Sequence, residues 1–362
     1  ISITHGPGVA NAMTAITEAA RSRTPLVVLT GDTPRRREHR QWLDLRAAAH
    51  LAGAAYRGAQ SAESMVEDLA VAMRLAMSVK RPVLMDLPVD MLDEPIAYTP
   101  PAFSVEVPPN QVTRPDEDLV DDAAGIVATA DRPILLVGRG AVVAGAHDEI
   151  VALSELLQAP IATTVGAMNE FTGHPRYLGI FGTEAFPYAA GFITQADCVV
   201  AFGAGLNEFT TANGELLAGK TVIQCDVDTH ILASRYPATL QVLGDAKAFA
   251  EELRMRLEQL GPREQSEWSA KIERDIAAYE PLADFVDGSK DQTVDMRVAV
   301  LALSEVLPAQ RAYVTGIGRY KTAPWRYFSA PAGGFAQTGG FATVGLDLAT
   351  AIGVSVARPD AT

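Results

Sequence analysis

Three consecutive α/β domains, each built on a parallel sheet and the first and third truncated, are the fold class this sequence predicts. Three observations predict it. Short apolar runs of strand length alternate with longer stretches of helical periodicity, the pattern of βα units on parallel sheets. A proline-rich stretch at 93–116 and a polar, helix-prone stretch at 261–295 interrupt this alternation, leaving blocks at 1–92, 117–260 and 296–362. The 362 residues, 48% hydrophobic and 20% charged, carry enough apolar material for two or three cores and too much length for one ordinary domain.

In chain order, the first block opens in the strand-like Ile1-Ser2-Ile3-Thr4, and its buried strands are Pro25 to Gly31 and Arg81 to Leu87. Between these, residues 62–79 place Met65, Leu69, Ala72, Met73, Ala76 and Met77 at three- and four-residue spacing, which predicts a helix with a methionine stripe packed into the core. Pro95, Pro100, Pro101, Pro108, Pro109 and Pro115 fix φ and remove backbone donors, so 93–116 reads as a linker. The central block has strands at Pro133 to Val137, Asp197 to Phe202 and Thr221 to Asp226, a Rossmann-like plan. The third begins with a helix near Val298 to Val306 and a strand at Arg311 to Thr315. The chain starts inside a strand and stops at Arg358-Pro359-Asp360, where an α/β domain would enter its next strand, so a longer parent protein is expected.

Thirty Lys and Arg against 44 Asp and Glu give a formal charge of −14, which repels phosphate backbones and anionic lipid and argues against nucleic-acid and membrane partners. No apolar run approaches the ~20 residues that span a bilayer, and no secretory signal opens the chain, so a cytoplasmic location is expected. Cys198 and Cys225 lie in apolar runs without metal-ligand spacing, which excludes a disulfide scaffold.

Four segments could carry chemistry. Gly138-Arg139-Gly140 follows a strand, but Val143 stands at the third glycine position of the dinucleotide fingerprint, so an ordinary strand-to-helix turn explains it equally well. Asp226 and Asp228, at a strand end, could meet a ribose or serve only as polar strand-end residues. In Thr4-His5-Gly6-Pro7-Gly8-Val9-Ala10-Asn11, Pro7 suits a first helical turn and the glycines allow close backbone approach. In Val314 to Tyr320, a strand runs into Gly316 and Gly318 with Arg319 next, a combination that suits a phosphate. Thr338-Gly339-Gly340-Phe341-Ala342-Thr343-Val344-Gly345 is a small-residue loop leading into an apolar helix. For Thr4 to Asn11 and Val314 to Tyr320 a plain glycine turn is the competing reading.

The Thr4 to Asn11, Val314 to Tyr320 and Thr338 to Gly345 segments, in this chain order and separated by the linkers, resemble the thiamine-diphosphate enzymes of the acetolactate synthase group, over nearly the whole chain. Thr4 to Asn11 is similar to that family's T-S-G-P-G-A-T-N, Pro25 to Arg36 to P-L-V-x-I-T-G-Q-V-P-R-R, and Arg40-Gln41-Trp42-Leu43-Asp44 to the stretch around A-F-Q-E. Thr163-Thr164, Leu178 to Gly182, Ala196-Asp197 and Asp226-Val227-Asp228 resemble the central domain, and Thr315 to Tyr320 and Thr338 to Pro359 resemble the opening of the diphosphate-binding domain. The resemblance thus implies a pyrimidine-binding domain, a Rossmann-like central domain and the start of a diphosphate-binding domain.

It also implies roles. Gly6, Pro7, Gly8 and Asn11 match the turn on the aminopyrimidine side of thiamine diphosphate; Gln41 matches the glutamine facing the reacting centre, with His5 beside it where the pattern has Ser. Ile317, Gly318, Arg319 and Tyr320 match positions near the diphosphate, Ala342 lies in the loop that follows, and Val344 matches the hydrophobe, usually Met, that keeps the cofactor bent. The implied chemistry is ylide attack on a 2-oxo acid, loss of carbon dioxide, and an enamine that is protonated or adds to a second carbonyl; the cofactor supplies that chemistry and the protein supplies orientation. No nucleophilic triad or zinc-type cluster competes with it, and no metal ligand is assigned in this chain.

The family's activating glutamate and its Mg2+ ligands would lie before Ile1 and after Thr362, so the 362 residues alone are expected to be inactive. Gly203 to Phe209 replaces the family's R-F-D-D-R, so FAD does not carry over; related central domains hold ADP, the nucleotide part of coenzyme A, or nothing. A homodimer or homotetramer is implied, with each site between subunits. A 2-hydroxyacyl-CoA lyase and a non-catalytic nucleotide-binding homologue remain the alternatives.

Overall fold

A computed structural model describes residues 1–34, 39–101 and 112–361. Arg35 and Arg36 of the second motif, and Pro108 and Pro109 of the proline-rich stretch, lie outside the described residues. The chain divides into two compact units, 1–111 with 338–350, and 112–337 with 351–362. Every ladder between named strands is parallel, so the α/β class with parallel sheets is what forms.

The first unit alternates β1 (Ser2–Ile3), α1 (Pro7–Arg21), β2 (Leu26–Asp32), α2 (Leu45–Ala52), β3 (Ala55–Gly58), α3 (Met65–Val79), β4 (Pro82–Pro88) and the short α4 (Val89–Leu92). Its sheet runs β1-β2-β4-β3, with Leu26 opposite Pro82 and Asp32 opposite Pro88. Side chains alternate across the strands. Val28 and Leu84 therefore meet Val9 and Ile16 of α1 and Leu45 of α2 on one face, while Val83 and Met85 meet Ala72 and Ala76 of α3 on the other. Asp44 caps α2 by accepting the Ala47 amide at 2.9 Å, and Gly53 ends it in the left-handed conformation.

The methionine stripe is only partly core. Met65 and Leu69 pack against the buried Ala72 and Ala76, but Met73 and Met77 are exposed. At 100° per residue the first four share one narrow face, and Met73 and Met77 fall about 80° and 120° round from Met65, beyond the arc the sheet covers.

The second unit begins with α5 (Glu117–Thr129), β5 (Pro133–Val137), α6 (Arg139–Ala144), α7 (His147–Leu157), β6 (Ile161–Thr163), β7 (Tyr177–Ile180), α8 (Pro187–Gln195), β8 (Cys198–Phe202), α9 (Glu208–Thr211), β9 (Thr221–Asp226), β10 (Leu240–Leu243) and α10 (Ala246–Glu258). Sheet order β10-β9-β8-β5-β6-β7 is the doubly wound 3-2-1-4-5-6 arrangement read from β5, whose switch point lies between β5 and β8. Both of those strands are buried along their whole length, as central parallel strands must be. Cys198 and Cys225 are free and buried in this core. Part of the polar 261–295 stretch forms α11 (Glu267–Ala277), which buries Ile272 against the same unit's second core, and Arg176, itself buried, holds Glu273 of this helix at 2.5 Å.

Beyond it come α12 (Met296–Val306), β11 (Tyr313–Thr315), α13 (Thr322–Tyr327) and β12 (Phe335–Gln337), with β11 and β12 in register from Tyr313 opposite Phe335. Buried Arg311 ties this region together by donating to the Ser304, Leu307 and Ser329 carbonyls. The final helix, α14 (Leu346–Ala357), straddles the division between units. No helix among the described residues is long and apolar enough to cross a membrane.

Candidate functional site

The Thr4 to Asn11 motif turns sharply from β1 into α1. Gly6 sits at φ 57° and ψ −100°, a conformation open in practice only to glycine, and a Cβ there would lie 2.0 Å from the Gln41 carbonyl oxygen. The glycine is thus required because the backbone at Gln41 crosses directly over it. Gly8 is less constrained, since its Cβ would meet only the movable Thr4 Cγ2 methyl, at 2.8 Å. Pro7 occupies the first helical turn, where a missing amide hydrogen costs nothing, and both Pro7 and Asn11 are exposed.

That crossing brings His5 and Gln41 together: His5 Nε2 and Gln41 Oε1 are 2.9 Å apart. An amide oxygen only accepts, so this bond assigns the proton to His5 Nε2. On the other side His39 Nδ1 accepts the Gln41 backbone amide at 3.2 Å, and the His5 and His39 rings meet edge to face at 5.6 Å. His39 was not singled out by the motifs; the only local signal is its place two residues before Gln41. Between β3 and β4, Tyr56 donates to Asp86 at 2.6 Å. Burial and then the Asp86 carboxylate push the Tyr56 phenol up to about 12, so it remains a donor at neutral pH.

The 338–345 loop belongs to the same unit. Gly340 and Phe341 donate their amides to Glu18 at 2.8 and 2.5 Å, and Arg21 lies 4.6 Å over the Phe341 ring. Ala342 has φ 61°, and Val344 is 77% exposed. Ile317, Gly318, Arg319 and Tyr320 stand in the other unit, on the turn after β11. Gly318 is extended, and a Cβ on it would meet the Tyr320 ring at 2.7 Å. Arg319 is exposed there, whereas Lys321 lies over the rings of Phe209 and Trp325 at 5.3 and 4.7 Å. Among the described residues no group of three or more His, Cys, Asp and Glu is placed to hold a metal ion.

The Gly138-Arg139-Gly140 turn has another explanation than a pyrophosphate. A Cβ on Gly138 would lie 2.2 Å from the Gly203 carbonyl oxygen and one on Gly140 2.8 Å from Gly203 Cα. The Gly140 amide donates to that carbonyl at 3.0 Å. The glycines let the loop after β8 close against the turn after β5, at the switch point where a nucleotide would otherwise approach. Asp226 and Asp228 use a side-chain oxygen on the local turn, accepting the Asp228 and His230 amides.

Comparison with known proteins gives the family. Residues 1–57 match the thiamine pyrophosphate enzyme N-terminal TPP binding domain, and residues 120–253 match the thiamine pyrophosphate enzyme central domain. The chain is 27% identical to a probable acetolactate synthase large subunit of Methanocaldococcus jannaschii, covering 98% of this chain and 62% of that protein. It is 27% identical to an acetolactate synthase of Mycobacterium leprae, covering 99% and 58%, and 28% identical to a sulfoacetaldehyde acetyltransferase of Rhodobacter capsulatus, covering 98% and 64%. The chain belongs to the thiamine pyrophosphate enzymes. It spans about three fifths of the length of the curated relatives it matches.

Proposed function

We propose that this chain is the larger part of a thiamine-diphosphate-dependent enzyme that decarboxylates a 2-oxo acid and releases or transfers the acyl carbon that remains. The observation that carries the reading is the His5–Gln41 hydrogen bond, clamped over the Gly6 turn within the stretch that matches a TPP-binding domain. The residues present fit the cofactor: exposed Pro7 and Asn11 open the N-terminal end of α1, and exposed Arg319 beside the glycine turn after β11 suits an anionic diphosphate.

When bound, thiamine diphosphate supplies the carbanion chemistry. In the proposed homo-oligomer, Gly6, Pro7, Gly8 and Asn11 of one subunit would hold its pyrimidine side, and Ile317, Gly318, Arg319 and Tyr320 of another its diphosphate, with Ala342 and Val344 keeping its bend. His5 would orient the Gln41 amide toward the substrate carbonyl and keep a proton at Nε2. Mg2+ would be held by ligands outside the described residues. A homodimer or homotetramer working in the cytoplasm, with a 2-oxo acid as substrate, completes the proposal.

Titration of the full-length protein with thiamine diphosphate and Mg2+ by calorimetry, followed by a screen of 2-oxo acids for carbon dioxide release, tests it. Saturable binding and release are expected; absence of cofactor binding overturns it.

A further inference from the structure

Glu18 is a carboxylate on the last turn of α1, 8% exposed, and no motif in the sequence points to it. A buried carboxylate is costly unless its oxygens are satisfied. Here the Gly340 amide and the Ser22 hydroxyl each donate to Oε1 at 2.8 Å, and the Phe341 amide donates to Oε2 at 2.5 Å. Two consecutive backbone amides converging on one anion form the kind of concavity that elsewhere binds free anions. Gly340 must be glycine for this, because a Cβ would lie 2.6 Å from Ser22 Oγ and 2.9 Å from Glu18 Oε1. Arg21 adds its guanidinium over the Phe341 ring. Positions 18, 21 and 22 are neighbours on one helical face, so the loop is gripped by a single patch of α1.

We infer that Glu18 is a positioning residue for the cofactor loop: through the Gly340 and Phe341 amides it fixes the segment that carries Ala342 and Val344. The inference rests on the functional reading above. Because α1 is unbroken from Pro7 to Arg21, the helix that begins at the Gly6-Pro7-Gly8 turn also carries the anchor ten residues beyond Gly8, about 15 Å along its axis. Cofactor affinity should depend on Glu18 although the side chain does not touch the cofactor.

The test uses the full-length protein with Glu18→Gln and the milder Ser22→Ala, which removes one donor from the same carboxylate. In the absence of cofactor, hydrogen exchange at the Gly340 and Phe341 amides should quicken about tenfold or more in Glu18→Gln, with β8 amides unchanged. The KM for thiamine diphosphate should rise about tenfold while kcat at saturating cofactor stays within about twofold, the mark of lost positioning and not of lost chemistry. Ser22→Ala should move both readouts the same way by less. Unchanged exchange at these amides overturns the anchor, and faster exchange with unchanged cofactor KM overturns its functional role. Failure of the unsubstituted protein to bind thiamine diphosphate overturns the functional reading itself, and the inference with it.

Discussion

Replacing Gly6 by alanine probes the candidate centre at its tightest point. The new Cβ would start 2.0 Å from the Gln41 carbonyl oxygen, so the Gln41 backbone must retreat by about 1 Å to reach even the 3.0 Å that real contacts respect. Forcing a side chain onto φ 57° and ψ −100° costs about 1–2 kcal/mol, and overpacking of this kind a further 1–3 kcal/mol or so. The expected loss is about 2–5 kcal/mol, a large share of a domain's total stability. Gly145→Ala is the control: its φ is 69° but nothing lies within 4 Å of the added atom, so only the conformational part, about 1 kcal/mol, should appear. Urea unfolding followed by far-UV circular dichroism gives both values. A Gly6→Ala loss no larger than that of Gly145→Ala would refute the backbone crossing, and with it the reason His5 and Gln41 meet.

Gly138→Ala should destabilise the second unit by about 2 kcal/mol or more, because the added carbon collides with the Gly203 carbonyl; Val143→Gly, which completes the dinucleotide fingerprint, should create no ADP binding, and calorimetry showing such binding would reinstate the nucleotide reading of that turn. Asp68 tests pH dependence: burial alone would raise its pKa, but the Gln60 amide, Arg57 and Ser64 hold the carboxyl below its usual range. A folded pKa below the unfolded value contributes stability that is present above about pH 4 and is lost as pH falls through the folded value. Asp68→Asn should therefore cost about 2 kcal/mol at pH 7, and the difference should shrink as denaturation midpoints are followed into the acid range; a pH-independent difference contradicts the assignment.

Much of the architecture was legible. The long central strands, Leu26–Asp32, Pro82–Pro88, Pro133–Val137, Cys198–Phe202 and Thr221–Asp226, lie within about a residue of the apolar runs that predicted them, because a strand covered on both faces must be apolar throughout. The edge strand Leu240–Leu243 and the short Phe335–Gln337 were not, since three or four residues with partial exposure carry no distinctive pattern. The helix at 65–79 was predicted with its apolar spacing, but which methionines it buries depends on how wide an arc the sheet covers. His39 is not legible in the sequence, because an isolated histidine before Gln41 has no meaning until the turn folds it against the backbone.

What the sequence determined by itself is what local chemistry dictates: parallel α/β units, the glycine and proline turns that end strands and start helices, and the ordered motifs that place the chain among thiamine pyrophosphate enzymes. The tertiary structure decided what each glycine is for. Gly6 makes room for Gln41, Gly140 for the loop at Gly203, and Gly340 for Glu18, which is 322 residues away in sequence. A glycine's identity records only that something comes close, and whether that neighbour is ligand or protein depends on contacts between distant segments, which no local periodicity encodes.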